Sequence, residues 1–332
     1  MQVLSRPDPT IAVVLPCYNE EQTIGAVVRG FRDALPQAAI YVYDNNSSDL
    51  TALQARAAGA IVVREPRQGK GNVVRRMFAD VDADIYIMAD GDGTYDPHDA
   101  PQLINALVTE RVDMVVGTRR GVTDDAGRAG HAFGNSIFNL LYRSLFGRDF
   151  TDIFSGYRVF SRRFVKSFPA VSTGFEIETE MSVHASMLRI PVCEMTLDYG
   201  RRPEGSQSKL STFRDGAKIL WMFAMLMKET RPARFFGALS AGFLAVSGVF
   251  AIPVLYEYAL TGLVPRMPTW ILSMGLLSLS MIMMVAGLIL DSVARGRAEQ
   301  KRIHYLGLAP AHGVPLQDSA AVAAPLAVSR AG

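Results

Sequence analysis

Two stretches in the last third of the chain constrain every other reading. Residues 235–256 (FFGALSAGFLAVSGVFAIPVLY) and 269–290 (TWILSMGLLSLSMIMMVAGLIL) each run 22 residues without a charge. About 20 apolar residues in a helix cross a ~30 Å hydrocarbon core, so either stretch is long enough to span. The alternative is a pair of core helices in a soluble protein, but soluble helices of this length usually keep a polar face. Lys228, Arg231 and Arg234 precede the first stretch, and Arg295, Arg297, Lys301 and Arg302 follow the second, while the connector TGLVPRMP offers only Arg266. Positive charge favours the cytoplasmic side. The pattern predicts a two-span protein of the cell inner membrane, its hairpin loop outside and both long ends cytoplasmic. The opening MQVLSRPDPT has no apolar signal-peptide core.

The formal charge of +2 argues against a nucleic-acid binder, since no basic run dominates the chain. Eight Lys/Arg against three Asp/Glu do gather in residues 199–234, just ahead of the apolar third. Cys17 and Cys193 lack metal-type spacing and predict no disulfide framework.

The remainder alternates between two periodicities. TIAVVLP (10–16), AIYVYD (39–44), AIVVRE (60–65), DIYIMAD and VDMVVGTR read as strands. Between the first two, Ile24, Val27, Val28, Phe31 and Leu35 keep helical spacing, with Asn19 and Gln22 placed as a capping box. SDLTALQARAAG is a helix closed by Gly59, and NVVRRMFADV a helix entered through Gln68-Gly69-Lys70-Gly71. This order predicts an α/β domain with a mostly parallel sheet, and ligands bind beyond the carboxyl ends of such strands. Those ends carry Pro16-Cys17-Tyr18-Asn19-Glu20, Asp44-Asn45-Asn46, Asp90-Gly91-Asp92 and Gly117-Thr118-Arg119.

The run IMADGDGTYDP (87–97) is the sharpest of these. An apolar strand ends in carboxylates whose mutual repulsion calls for a cation. In an extended strand Asp90 and Asp92 share a face, and Mg²⁺ or Mn²⁺ is commonly held by one or two carboxylates plus substrate phosphate oxygens. A solvated acidic turn is the plain alternative. An EF-hand is excluded because Pro101 stands where its twelfth-position Glu belongs. Lys70 is no P-loop lysine, since Gly71 follows it, but a lysine at a helix start suits a phosphate or another acidic group.

Taken in order, VVLPCYNEE, YDNNSSD, QGKGN, MADGDGTYDP, VGTR, FSGYRVFSR and RRPEGSQSKL resemble an inverting family 2 glycosyltransferase with the nucleotide-sugar-binding GT-A fold. They are most similar to the polyprenyl-phosphate glycosyltransferases, the group of dolichol-phosphate mannose synthase. The resemblance covers about residues 10–215. It implies that Pro16, Tyr18, Glu20, Asp44 and Lys70 bind the nucleotide sugar, and that Asp90 and Asp92 hold the divalent ion. It implies that Arg119, Ser155 and Gly156 meet the acceptor phosphate, with Arg128 or His131 as a second basic group. Arg202, Ser208 and Lys209 match the segment that closes over the diphosphate. The catalytic set implied is Asp92, Arg119, Arg202 and Lys209. Gly93-Thr94 stands where mannose synthases often have Leu and Gln, so the sugar stays open, as does the choice of UDP or GDP.

The expected reaction moves a hexose from a nucleotide sugar to a polyprenyl phosphate, with Mg²⁺ or Mn²⁺ as cofactor. A phosphate acceptor is largely anionic at neutral pH and needs no base to deprotonate it. Glu176, Glu178 and Glu180 are the base candidates otherwise, and read as site-shaping residues here. Three rivals stand beside this reading: a synthase with a polysaccharide or other non-lipid acceptor, which lacks its Gln-x-x-Arg-Trp segment here; a non-catalytic membrane scaffold, against which Asp90, Asp92 and Lys209 remain; and a soluble nucleotidyltransferase, disfavoured by the acceptor loop and anchor. The expected domains are a GT-A domain at 1–210, an interfacial amphipathic region at 211–234, a two-helix anchor at 235–293 and a partly disordered tail at 294–332. A homo-oligomer is compatible with all of this.

Overall fold

The computed structural model describes residues 9–120, 142–143, 147, 149–174, 176–198, 200, 221 and 223–309. The chain forms two compact units, residues 1–212 with 301–332, and residues 213–300.

The first unit is built on β1 (Ile11–Cys17), α1 (Ile24–Ala34), β2 (Ala39–Asp44), α2 (Thr51–Ala57), β3 (Ile61–Arg64) and α3 (Lys70–Asp80). It continues with β4 (Ile85–Met88), a 3-10 turn (Pro97–Asp99), α4 (Ala100–Thr109), β5 (Met114–Arg120), β6 (Arg158–Ser161), α5 (Arg162–Ser167), α6 (Ile177–Leu188) and β7 (Val192–Asp198). The seven strands lie in the order β3-β2-β1-β4-β6-β5-β7. Only β6 is antiparallel to its neighbours β4 and β5. The sheet is therefore mixed but mostly parallel. Every residue of the central β1 is buried, as a strand covered on both faces requires. The helical stripe read in α1 packs inward, with Ile24, Val27, Val28, Phe31 and Leu35 all in the core.

Two local expectations are corrected. Asn19 does not cap α1: it takes a left-handed φ of 54°, and its Oδ1 accepts from the Ser48 amide at 2.9 Å. The helix begins instead at Ile24, and Thr23 Oγ1 donates to the Gly91 carbonyl at 2.7 Å. Asp90 and Asp92 also do not lie along a strand. The strand stops at Met88, and Gly93 turns the chain with φ +74°.

The second unit carries α7 (Pro232–Thr261) and most of α8 (Met267–Leu306). Both helices are long and apolar enough to cross a membrane. Their apolar side chains face outward, with Val249 69%, Leu260 68% and Ile271 65% exposed, which a soluble core helix would not tolerate. They are candidate membrane spans. Between them Ser240 Oγ donates to the Ser280 carbonyl and Ser280 Oγ to the Ser240 carbonyl, both at 2.9 Å. Ser247 Oγ donates to the Ser273 carbonyl at 2.8 Å. Small hydroxylated residues at a helix pair satisfy one another where water is absent.

The last turn of α8 belongs to the first unit. Tyr305, 2% exposed, donates to Asp113 Oδ2 at 2.6 Å, and the Arg163 guanidinium lies 4.3 Å from its ring centroid. His304 Nε2 lies 3.2 Å from the Lys166 carbonyl, and Arg302 donates to the Leu188 carbonyl.

Candidate active site

The carboxyl ends of β1, β2, β4 and β5 and the start of β6 meet at one edge of the sheet. Pro16 pairs with Tyr43, and Asp44, 5% exposed, ends β2 beside it. Tyr18 and Glu20 follow β1, half-buried, with the Glu20 amide donating to Thr51 Oγ1 at 2.8 Å. Asn45 joins this edge to the glycine loop: its Nδ2 donates to the Arg67 carbonyl and its Oδ1 accepts from the Gly69 amide, each at 2.7 Å.

Asp92 is 3% exposed, and its Oδ1 accepts from the Thr94 amide at 3.1 Å and from Thr94 Oγ1 at 2.6 Å. Asp90 has different partners. Its Oδ1 lies 2.5 Å from Lys70 Nζ, and Lys70 also pairs with Glu178. Burial opposes the Lys70 charge, but Asp90 and Glu178 outweigh it and keep the ammonium protonated. Burial likewise pushes the Glu178 carboxyl upward, partly offset by Lys70. The start of α3 is not an open anion site. The Gly71 amide already donates to the Thr173 and Gly174 carbonyls, each at 3.1 Å. Lys70 thus meets an acidic group, but one of the protein's own.

The other two glutamates shape the same region. Glu180 accepts from the Val171 and Ser172 amides at 2.9 and 2.7 Å, and Glu176 Oε1 from the Gly174 amide at 3.1 Å. They hold residues 171–174 across the start of α3.

Near the end of β5, Arg119 forms a two-pronged pair with Asp152, Nε to Oδ2 at 2.7 Å and Nη2 to Oδ1 at 2.8 Å. Burial would raise the Asp152 carboxyl, but the Arg119 fork overrides it and holds it below the usual carboxylate range. Ser155 Oγ donates to the Gly117 carbonyl at 2.5 Å. The Gly156 amide donates to Tyr95 Oη at 3.0 Å, fastening this loop to the carboxylate turn. Gly156 also explains itself: a Cβ there would lie 2.6 Å from Asp90 Oδ2.

Arg128, His131, Arg202, Ser208 and Lys209 lie outside the described residues. Sequence reasoning missed Asp152, two residues ahead of FSGYRVFSR, and Tyr95, inside MADGDGTYDP, as site-builders. It also left Glu178 unpaired. Only the fold brings Glu178 to Lys70, across 108 residues of chain.

Among the described residues, no three His, Cys, Asp or Glu side chains are grouped to hold a metal by themselves. Asp90 and Asp92, at the strand end with one carboxylate buried and one partly open, fit an ion that completes its shell with diphosphate oxygens and water.

A mostly parallel sheet with paired carboxylates at its strand ends defines a GT-A-like glycosyltransferase. Residues 12–168 match the glycosyl transferase family 2 domain. The chain is 33% identical over 303 residues to the glycosyltransferase AglJ of Haloferax volcanii, covering 90% of this chain and 99% of that one. It therefore belongs to glycosyl transferase family 2. It is also 28% identical over 210 residues to a dolichyl-phosphate hexose transferase of the same organism, covering 63% of this chain and 90% of the relative. Among solved structures it is similar to glucosyl-3-phosphoglycerate synthase of Mycobacterium tuberculosis in complex with Mn²⁺, UDP and glucosyl-3-phosphoglycerate. That likeness has a TM-score of 0.54 and 26% identity, over 66% of this chain and 79% of that one.

Proposed function

We propose that this glycosyltransferase moves a hexose from a UDP- or GDP-linked sugar to a polyprenyl phosphate at the cytoplasmic face of the inner membrane. One observation carries the acceptor. The chain leaves the catalytic unit into two helices of membrane-spanning length and returns to that unit at residues 301–309. The dolichyl-phosphate hexose transferase relative supports the same acceptor class, and the Mn²⁺ and UDP bound by the mycobacterial synthase support the donor class. The basic flanks of both helices support the cytoplasmic orientation. In the interfacial region proposed at 211–234, residues 223–230 are helical and Trp221 is 69% exposed, as a headgroup anchor would be.

In this reading Pro16, Tyr18, Glu20 and Asp44 hold the nucleoside, and Asp90 and Asp92 hold Mg²⁺ or Mn²⁺. When bound, the ion stabilises negative charge on the departing diphosphate. Arg202 and Lys209 add positive charge to the same group. Lys70 acts behind the donor, holding Asp90 in place. Arg119, kept oriented by Asp152, meets the lipid phosphate. Ser155 and Gly156 line that approach, with Arg128 or His131 completing it. The acceptor arrives as an anion, so positioning replaces proton abstraction.

A second reading, transfer to a small phosphorylated acceptor, is favoured by the mycobacterial synthase structure with phosphoglyceric acid. The test is to incubate detergent-purified protein with Mn²⁺, radiolabelled UDP- and GDP-hexoses, and either undecaprenyl phosphate or 3-phosphoglycerate. Label moving into the organic phase with one donor, and lost in Asp92→Ala, is the expected result. Label appearing only in a water-soluble phosphorylated product overturns the lipid acceptor in favour of the second reading.

A further inference from the structure

Arg158 is the largest side chain wholly buried among the described residues, at 0% exposure. It opens β6 at the site edge, in register with Met88 of β4 and Val116 of β5. A buried arginine is usually matched by a carboxylate in contact. This one instead donates Nε to the Ser155 carbonyl and Nη2 to the Ile153 carbonyl, each at 2.9 Å. Its Nη1 donates to Ser182 Oγ at 3.0 Å, and Ser182 Oγ donates on to the Glu178 carbonyl at 3.1 Å. The nearby acidic influences on it are Glu178 and Asp152, one from each side of the site.

The guanidinium stays protonated in proteins, so it sets a fixed positive charge under the electrostatic influence of Glu178 and Asp152. Its planar fork meanwhile pins two carbonyls of the loop that carries Asp152, Ser155 and Gly156. We propose that Arg158 is a positioning residue whose fork fixes the 152–156 loop for the acceptor phosphate and ties it, through Ser182, to the Glu178 turn on the donor side. The acceptor half of this inference rests on the proposed polyprenyl-phosphate reaction.

Arg158→Lys keeps the charge and loses the fork, since a single ammonium cannot serve Ile153, Ser155 and Ser182 in one plane. Arg158→Met loses both and serves as the second variant. Three quantities are compared in the detergent-purified full chain: the KM for undecaprenyl phosphate, the Kd for Mn²⁺ with UDP by calorimetry, and amide exchange of peptides covering 152–157. For Arg158→Lys the acceptor KM should rise about tenfold and exchange of 152–157 should accelerate, with the Mn²⁺–UDP Kd within about twofold of wild type; a tenfold change corresponds to ~1.4 kcal/mol. Arg158→Met should weaken Mn²⁺–UDP binding as well. An Arg158→Lys protein with unchanged acceptor KM and unchanged loop exchange overturns the inference, as does an equal loss on the donor and acceptor sides. If wild type transfers nothing to undecaprenyl phosphate, the acceptor reading has failed, and loop exchange alone then decides for or against the positioning role.

Discussion

A single methyl group at position 156 separates two roles for the FSGYR loop. The resemblance assigns Gly156 to the acceptor, yet its α-carbon backs onto Asp90 so closely that a Cβ would lie 2.6 Å from Oδ2. Gly156→Ala should therefore push Asp90 off Lys70 and damage donor-side binding first. Overpacking of this kind costs about 1–3 kcal/mol. We expect Mn²⁺–UDP binding to weaken by about tenfold in calorimetry, with the chain still folded by circular dichroism. Unchanged Mn²⁺–UDP affinity with a raised acceptor KM would place Gly156 on the acceptor side alone. Asp90 itself shows why residue identity is not enough: its neighbour Asp92 bonds to Thr94, while Asp90 turns to a lysine that the sequence places twenty residues earlier.

Elements pack through side chains whose chemistry is set by their surroundings, and α5 against α6 is the clearest case. His184 on α6 stands edge-on to Phe164 and Phe168, with ring centroids 5.7 and 5.4 Å away. Burial, aided by Lys301, depresses its pKa to about 3. Folded protein thus refuses a proton that the unfolded chain accepts below its ordinary value of ~6.5. The stabilisation is complete above that value and drains away as pH falls toward about 3, by at most ~1.4 kcal/mol per pH unit. His184→Met should flatten this limb: between pH 7.5 and 5 its melting temperature should fall less than that of wild type. Parallel curves would mean that His184 is protonated in the fold. How far the elements were legible follows from the same physics. The first five strands and the stripe of α1 were readable because apolar periodicity and β-branched runs are local signals. β6 was not, since four residues beginning with a buried arginine carry no such period. β7 alternates weakly because most of its residues are half-buried. The site edge was legible from where polar residues end strands. The pairings Lys70–Glu178 and Arg119–Asp152 were not, because long-range contacts leave no spacing to read.

At the scale of the whole molecule, the last turn of α8 completes the catalytic unit. Asp113 is wholly buried and accepts from Ser161 Oγ at 2.6 Å, Arg163 Nη2 at 2.5 Å and Tyr305 Oη at 2.6 Å. Ending the chain after Gln300 would remove Tyr305 and uncover this hub. Loss of a buried aromatic costs roughly 3 kcal/mol, so the truncated protein should melt several degrees lower in detergent. Tyr305→Phe, which loses only the hydroxyl, should lie between the two. An unchanged melting curve would show that the segment contributes nothing to the unit.

The contact between Tyr305 and Asp113 joins residues 192 positions apart, with both apolar helices in between. The catalytic unit therefore carries the two-helix unit as an insertion in its sequence, and its returning piece is made after it. At ~5–20 residues per second, about 10–40 s of synthesis separate the two partners. During that interval, among the described residues, the Asp113 carboxylate has the side chains of Ser161 and Arg163 to answer it, while the two apolar helices emerge. If those helices enter a membrane as proposed, the order of manufacture makes insertion a step on the way to a finished catalytic unit, rather than an event that follows it.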